Sequence, residues 1–169
     1  MRVLILSDIH GAYDDFMYVI NNERFDKIVI LGDLLGYGFF DDESEILEEL
    51  KKIKNKLILI RGNCDRYINY EKYDLYAHDE ISLTMNNHIV TFTHGHIYSK
   101  GFLPEYHGDI FIQGHTHISM LTKEQGIIYA NPGSIGIPRG LSKKGYLLFD
   151  NNKLILKTID NKIIKEMTI

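Results

Sequence analysis

Three short apolar runs, separated by two stretches with helical periodicity, constrain the fold of this chain most strongly. The runs cover residues 3–6, 27–31 and 57–60. Residues 12–23 and 43–54 place apolar side chains three or four positions apart, which predicts a helix in each. Strands joined by helices run in parallel and are covered by those helices. In such sheets the ligand site lies beyond the carboxyl ends of the strands, and each run here ends in polar residues.

The second half of the chain predicts a different, antiparallel arrangement. Turn residues at 86–88, 124–126 and 150–152 separate runs that have strand character. The predicted strands cover residues 81–85, 89–93, 109–112, 119–123, 127–130, 146–149 and 154–159. We expect two packed sheets with helices outside, in a single domain that spans residues 1–169.

The composition argues against several classes of function. The 169 residues carry a net charge of -4 and no run of lysine or arginine, so we expect no extended nucleic-acid surface. No apolar run reaches the length of a membrane span, and the first strand is followed too soon by an acidic residue for a secretory signal. Cys64 is the single cysteine, which leaves no intramolecular disulfide. Together these features predict a protein of the reducing cytoplasm.

Polar side chains that can bind metal ions follow the predicted strands in five separate segments. They are Asp8, His10, Asp33, Asn63, His94, His115 and His117. This mixture of oxygen and imidazole ligands suits borderline divalent metals such as Mn, Fe, Zn, Ni or Co. Seven ligands are too many for one such ion, so we predict two ions. Asp33 stands alone in its loop and is the expected bridge, because a carboxylate offers two oxygens.

The motifs around these residues resemble those of a known family. They are Asp8-Ile9-His10, Gly32-Asp33, Gly62-Asn63-Cys64-Asp65, His94-Gly95-His96, Gly114-His115-Thr116-His117 and Asn131-Pro132-Gly133-Ser134. In this order they are similar to the motifs of the calcineurin-like metallophosphoesterases, and most similar to the small YfcE-type phosphodiesterase branch. The resemblance implies an α/β fold, a four-layer αββα sandwich of two mixed β-sheets flanked by helices.

The resemblance also implies a division of the ligands and an activity. One metal ion is assigned to Asp8, His10 and His117. The other is assigned to Asn63, His94 and His115, with Asp33 bridging the two. The expected reaction is hydrolysis of a small phosphate diester by a metal-bound hydroxide, with manganese as the first choice of metal. A homodimer or homotetramer is a further expectation from the resemblance.

Cys64 departs from the pattern of many relatives, which carry a histidine at this position to protonate the leaving group. A thiol with an ordinary pKa of about 8.5 is a different acid. We therefore predict a preference for esters with acidic leaving groups, such as aryl diesters. His96 is a candidate catalytic residue, because it can protonate the leaving group, contact the phosphate or orient His94. Asp65 is predicted to cap a following helix, and residues 131–134 to form a structural turn near the site.

Two other functions fit the same motifs. In a eukaryotic retromer subunit this fold serves as a protein-interaction scaffold with weak or no catalysis. A regulatory protein could also use the metal ions only to hold the phosphate of a nucleotide. The complete ligand set favours the enzyme, because a scaffold does not need to keep it.

Overall fold

A computed structural model describes residues 1–36 and 44–169 and shows two β-sheets packed against each other. The first elements alternate strand and helix as predicted: β1 (Arg2–Leu6), α1 (Tyr13–Asn22), β2 (Lys27–Ile30), α2 (Glu45–Lys52) and β3 (Leu57–Ile60). The later strands are β4 (Ala77–His78), β5 (Glu80–Met85), β6 (His88–Thr93), β7 (Ile110–Ile112), β8 (Met120–Glu124), β9 (Ile127–Asn131), β10 (Gly145–Asp150), β11 (Lys153–Thr158) and β12 (Ile163–Thr168). Short 3₁₀ helices lie at Lys54–Lys56 and Tyr70–Tyr73. The predicted helix start at Glu43 lies outside the described residues.

The helices begin and end where their sequences favour it. Ser44 caps α2, since its side-chain oxygen accepts a hydrogen bond from the backbone N–H of Leu47 at 3.4 Å. Acidic residues occupy the first turn of α2, and Lys51 and Lys52 occupy its last turn, which suits the helix dipole. None of the described helices is long and apolar enough to span a membrane.

The larger sheet has the strand order β12-β11-β10-β1-β2-β3-β4, and the smaller has β5-β6-β7-β9-β8. Strands β1 to β4 are parallel, as the strand–helix alternation predicts, whereas β10, β11 and β12 add antiparallel pairings. The antiparallel prediction for the second half is therefore only partly right. Strand β7 pairs in parallel with both β6 and β9, because a long coil segment separates it from β6 and strand β8 separates it from β9.

Strand β1 shows how the layers are built. Leu4 and Leu6 pack with the apolar faces of α1 and α2, whereas Val3 and Ile5 face the smaller sheet. Burial on both faces explains why residues 3–6 of β1 are all apolar. The predicted class, two mixed sheets with helices outside, is confirmed. In the described residues both α-helices lie over the larger sheet. A coil segment before β7 contacts the smaller sheet, since the N–H of Gly108 donates to Oγ1 of Thr91 in β6 at 3.0 Å.

Candidate metal centre

The residues that follow the strands lie together where the carboxyl ends of the two sheets meet. Asp8, Asp33 and Asn63 follow the parallel neighbours β1, β2 and β3. His94 and His115 follow β6 and β7, which are parallel neighbours in the smaller sheet. The backbone N–H of His115 donates to Oδ2 of Asp8 at 3.0 Å and joins the two sheets at this point.

One half of the site is enclosed. Single atoms of Asp8, His10, Asp33 and His117 lie within 4.8 Å of one another, and all four residues are buried. Nε2 of His117 is 3.2 Å from Oδ1 of Asp8 and 3.2 Å from Nε2 of His10. Nε2 of His10 is 3.6 Å from Oδ2 of Asp33. These are the residues that the resemblance assigns to one metal ion, together with the expected bridge.

The other half is more open. Nε2 of His94 is 3.0 Å from Oδ1 of Asn63 and 3.5 Å from Oδ2 of Asp33. The ring of His115 packs against that of His94, with centroids 5.1 Å apart. His94 is buried, His115 is half-buried and Asn63 is exposed. The ring of His115 thus lies beside His94, whereas Nε2 of His117 lies beside Asp8.

A single oxygen of Asp33 faces both halves. Oδ2 lies near His10 on one side and His94 on the other. Oδ1 instead accepts a hydrogen bond from the backbone N–H of Cys64 at 2.8 Å. Of the two carboxylate oxygens, Oδ2 is therefore the one that faces His10 and His94.

The protonation pattern of these side chains fits a cation. Nδ1 of His94 lies 2.5 Å from the carbonyl oxygen of Leu31, and Nδ1 of His117 lies 2.5 Å from that of Ile137. Each Nδ1 therefore donates, and in the neutral imidazole Nε2 is left as an electron-pair donor aimed at other acceptors. In the described part of the chain, buried Oδ1 of Asp8 accepts no hydrogen bond. Convergent acceptors without protons between them are satisfied by a divalent metal ion.

Charges inside the site shift several pKa values. Burial acts to lower the pKa of His94, but the nearby carboxylate of Asp33 outweighs burial and raises it. His117 has a raised pKa for the same reason, through Asp8. Burial opposes ionisation of Asp33, yet His94 holds the pKa of Asp33 well below its usual range. Burial lowers the pKa of His115.

Five of the seven candidate ligands have backbone dihedrals in the left-handed region. The φ angles are 52° for Asp8, 47° for His10, 53° for Asp33, 65° for His115 and 61° for His117. Residues other than glycine are uncommon there, and such strain collects at functional sites because the surrounding structure holds it in place. The sequence gives little sign of this strain, except that glycines adjoin three of these five residues.

Cys64 and His96 both lie beside the open half. Sγ of Cys64 accepts a hydrogen bond from Nδ2 of Asn63 at 3.3 Å, so Oδ1 of that amide is turned to His94. The exposed ring of His96 lies 5.2 Å from that of His94 and 6.2 Å from that of His115. His96 is therefore placed to meet a molecule that approaches the open half from solvent.

Supporting residues fix the loops that carry the ligands. Ser134 Oγ donates to the carbonyl oxygen of Asp8 at 2.6 Å, and Asn131 Nδ2 donates to that of Gly114 at 2.8 Å. The prediction of a structural turn at residues 131–134 is thus confirmed. The prediction that Asp65 caps a helix is wrong. Its carboxylate accepts backbone hydrogen bonds from two ligand loops, a role that local sequence patterns do not reveal.

Comparisons with known proteins point to one family. The model of the calcineurin-like phosphoesterase superfamily domain matches residues 1–153. The chain is 29% identical to phosphodiesterase YfcE of Escherichia coli over 185 aligned positions, which cover 100% of this chain and 98% of YfcE. It is 27% identical to the probable metallophosphoesterase YsnB of Bacillus subtilis, over 95% of this chain and 91% of YsnB.

Solved structures agree with this result. The structure of the E. coli phosphoesterase Yfce superposes with a TM-score of 0.85 at 28% identity and covers 100% of both chains. A Vps29 variant from Entamoeba histolytica superposes with a TM-score of 0.70 at 18% identity, over 100% of this chain and 99% of that one. At that identity the second match shows a shared fold alone.

Proposed function

This chain belongs to the calcineurin-like phosphoesterase superfamily, and from that premise we propose that it hydrolyses phosphate diesters with the help of two divalent metal ions. The observation that carries the proposal is the position of Asp33 Oδ2, between His10 at 3.6 Å and His94 at 3.5 Å. A shared oxygen between two groups of electron-pair donors is what a dinuclear site requires. The resemblance to YfcE supports a diester as the substrate.

The seven strand-end residues have distinct tasks in this proposal. Asp8, His10 and His117 hold one cation in the enclosed half, whereas Asn63, His94 and His115 hold the other at the open half. When bound, such a pair of ions lowers the pKa of a water and neutralises charge on the phosphate oxygens. The protein then needs mainly to position the substrate, since phosphoryl transfer requires little covalent chemistry from side chains. We propose manganese as the metal, which the mixed ligands accept.

The leaving group sets the expected substrate preference. His96 lies at the exposed side of the open half, where it contacts the phosphate or protonates the departing oxygen. Cys64 lies where many relatives have a histidine, and it hydrogen-bonds Asn63 instead. Esters whose leaving group needs no proton are therefore favoured, which predicts faster turnover of an aryl diester than of an alkyl monoester.

A metal-supplemented assay tests the proposal. With Mn²⁺, the protein should hydrolyse bis(p-nitrophenyl) phosphate, and a chelator should stop the reaction. Asp33→Ala and His94→Ala should each lose about 10²–10³-fold in turnover, the range seen when a group that stabilises transition-state charge is removed. Asp109→Asn is the matched control, because that exposed carboxylate lies at the start of β7, away from the ligands. Equal or better turnover of an alkyl monoester would contradict the role given to Cys64.

Because Vps29 shares this fold, a function without catalysis is the second candidate. A protein-interaction scaffold needs the surface of this fold but not the ligands, and a regulatory protein needs metal-held phosphate but no turnover. The assembled ligand set supports the enzyme over the scaffold. Folded, Mn-loaded protein that turns over no member of a broad ester panel, cyclic nucleotides and monoesters included, would reject the enzyme.

A further inference from the structure

Asp65 lies buried behind the candidate metal centre and accepts three backbone hydrogen bonds. Its Oδ2 accepts from the N–H groups of Gly62 at 2.7 Å and Asp33 at 2.8 Å. Its Oδ1 accepts from the N–H of Leu34 at 2.9 Å. The donors belong to two loops, one after β2 and one after β3, so one carboxylate ties the loops together.

These two loops carry ligands for both halves of the site. The first loop presents Asp33 and the second presents Asn63. The contact between loops is reciprocal, since the N–H of Cys64 in the second loop donates to Oδ1 of Asp33 at 2.8 Å. Asp65 therefore fixes the backbone of Asp33, Cys64 fixes one oxygen of its side chain, and Oδ2 alone is directed to the cations.

The loops approach too closely for a side chain at position 62. A Cβ atom on Gly62 would lie 2.1 Å from Oδ1 and 2.2 Å from N of Asp33. Asp33 also has a φ of 53°, a strained conformation that persists only where contacts hold it. The hydrogen bond from its N–H to Asp65 is such a contact.

We propose that Asp65 is a positioning residue that sets the separation between Asp33 Oδ2 and Asn63 Oδ1, and hence the spacing of the two cations. The inference rests on the proposed function, since it concerns the same metal centre. An asparagine cannot accept all three hydrogen bonds, because its amide has one acceptor oxygen and would turn an NH₂ group toward backbone donors. Asp65 thus governs metal affinity although no cation touches it.

Asp65→Asn tests this role against Glu23→Gln, a matched change to a buried carboxylate remote from the metal centre. In calorimetric titration with Mn²⁺, Asp65→Asn should lose about 10–100-fold in affinity, as when an outer partner of a metal ligand is removed. At saturating Mn²⁺ its kcat on bis(p-nitrophenyl) phosphate should fall while KM changes little. Glu23→Gln should keep wild-type affinity and kcat even where its melting temperature falls as far as that of Asp65→Asn.

Four results would reject the inference or its premise. Wild-type Mn²⁺ affinity and kcat in Asp65→Asn would overturn it, and so would an equal loss in Glu23→Gln. If Asp65→Asn does not fold, Asp65→Glu keeps both oxygens but moves them by a methylene, and unchanged Mn²⁺ affinity there would overturn it too. A wild-type protein that binds no Mn²⁺ would instead reject the proposed function on which the inference rests.

Discussion

Two clusters of charged and polar side chains, each with buried members, are built on opposite principles in this molecule. The Glu23 cluster joins α1 to the larger sheet and consists of Arg2, Glu23, Tyr146 and Lys157. The acceptor cluster is the candidate metal centre and consists of Asp8, His10, Asp33, Asn63, His94, His115 and His117. Both clusters remove charged side chains from water, which costs free energy unless hydrogen bonds or opposite charges compensate.

The carboxylate of Glu23 finds its donors within the Glu23 cluster, although buried Nε of Arg2 has no hydrogen-bond partner among the described residues. Oε1 of Glu23 lies 2.8 Å from Nη2 of Arg2, and Oε2 lies 2.7 Å from Nζ of Lys157. The hydroxyl of Tyr146 donates to Oε2 at 2.7 Å. Every contact joins a donor to an acceptor, and none of the four residues has a positive φ.

The acceptor cluster does not pair each acceptor with a hydrogen-bond donor. Nε2 of His94 faces the oxygens of Asn63 and Asp33 rather than a donor. Most of its members also have strained backbones. The comparison teaches that burial and charge alone do not identify a site, because they are common to both clusters. Unmatched acceptors held by strained backbone distinguish the acceptor cluster from the Glu23 cluster.

The largest expected effect is the loss of bound cations from the acceptor cluster. If His115 and His94 share one ion, His94→Ala/His115→Ala should keep one Mn²⁺ per chain, held in the enclosed half. His115→Ala/His117→Ala removes a ligand from each ion and should keep none. Elemental analysis after desalting measures the ratio, and Glu23→Gln should keep two. One retained Mn²⁺ in His115→Ala/His117→Ala would show that both imidazoles serve the same ion.

The members of the acceptor cluster could be chosen from the sequence, but their geometry could not. Asp8 and Asp33 follow apolar runs of parallel strands, and that topology alone places them at one edge. The approach of His94 Nε2 to Asp33 Oδ2, 3.5 Å apart, depends on how the two sheets pack, which no local pattern encodes. Strand β12 was missed because it lies exposed at the edge of its sheet, where burial imposes no alternation. Asp65 was misassigned because its partners lie in another loop.

A smaller effect concerns the dependence of folding stability on pH. Burial opposes ionisation of Glu23, but Lys157, Tyr146 and Arg2 together lower its pKa. Because the pKa of Glu23 is lower in the folded protein, its ionisation stabilises the fold at pH values above the pKa of an unfolded glutamate, about 4.3. This stabilisation is lost as the pH falls through the pKa of Glu23 in the folded protein. Glu23→Gln should therefore cost about 2 kcal/mol at pH 7. In urea titrations the gap to wild type should close below about pH 4, and a gap independent of pH would contradict the assignment.

The smallest effect isolates the strained backbone. At His115, where φ is 65°, an alanine must keep a left-handed conformation that costs about 1–2 kcal/mol, whereas a glycine adopts it readily. With metal removed by chelator, His115→Gly should therefore be more stable than His115→Ala by about 1 kcal/mol. His96 has no positive φ, so there the order should reverse, because glycine loses more chain entropy on folding. The same order at both positions would mean that strain does not set the acceptor cluster apart from the rest of the chain.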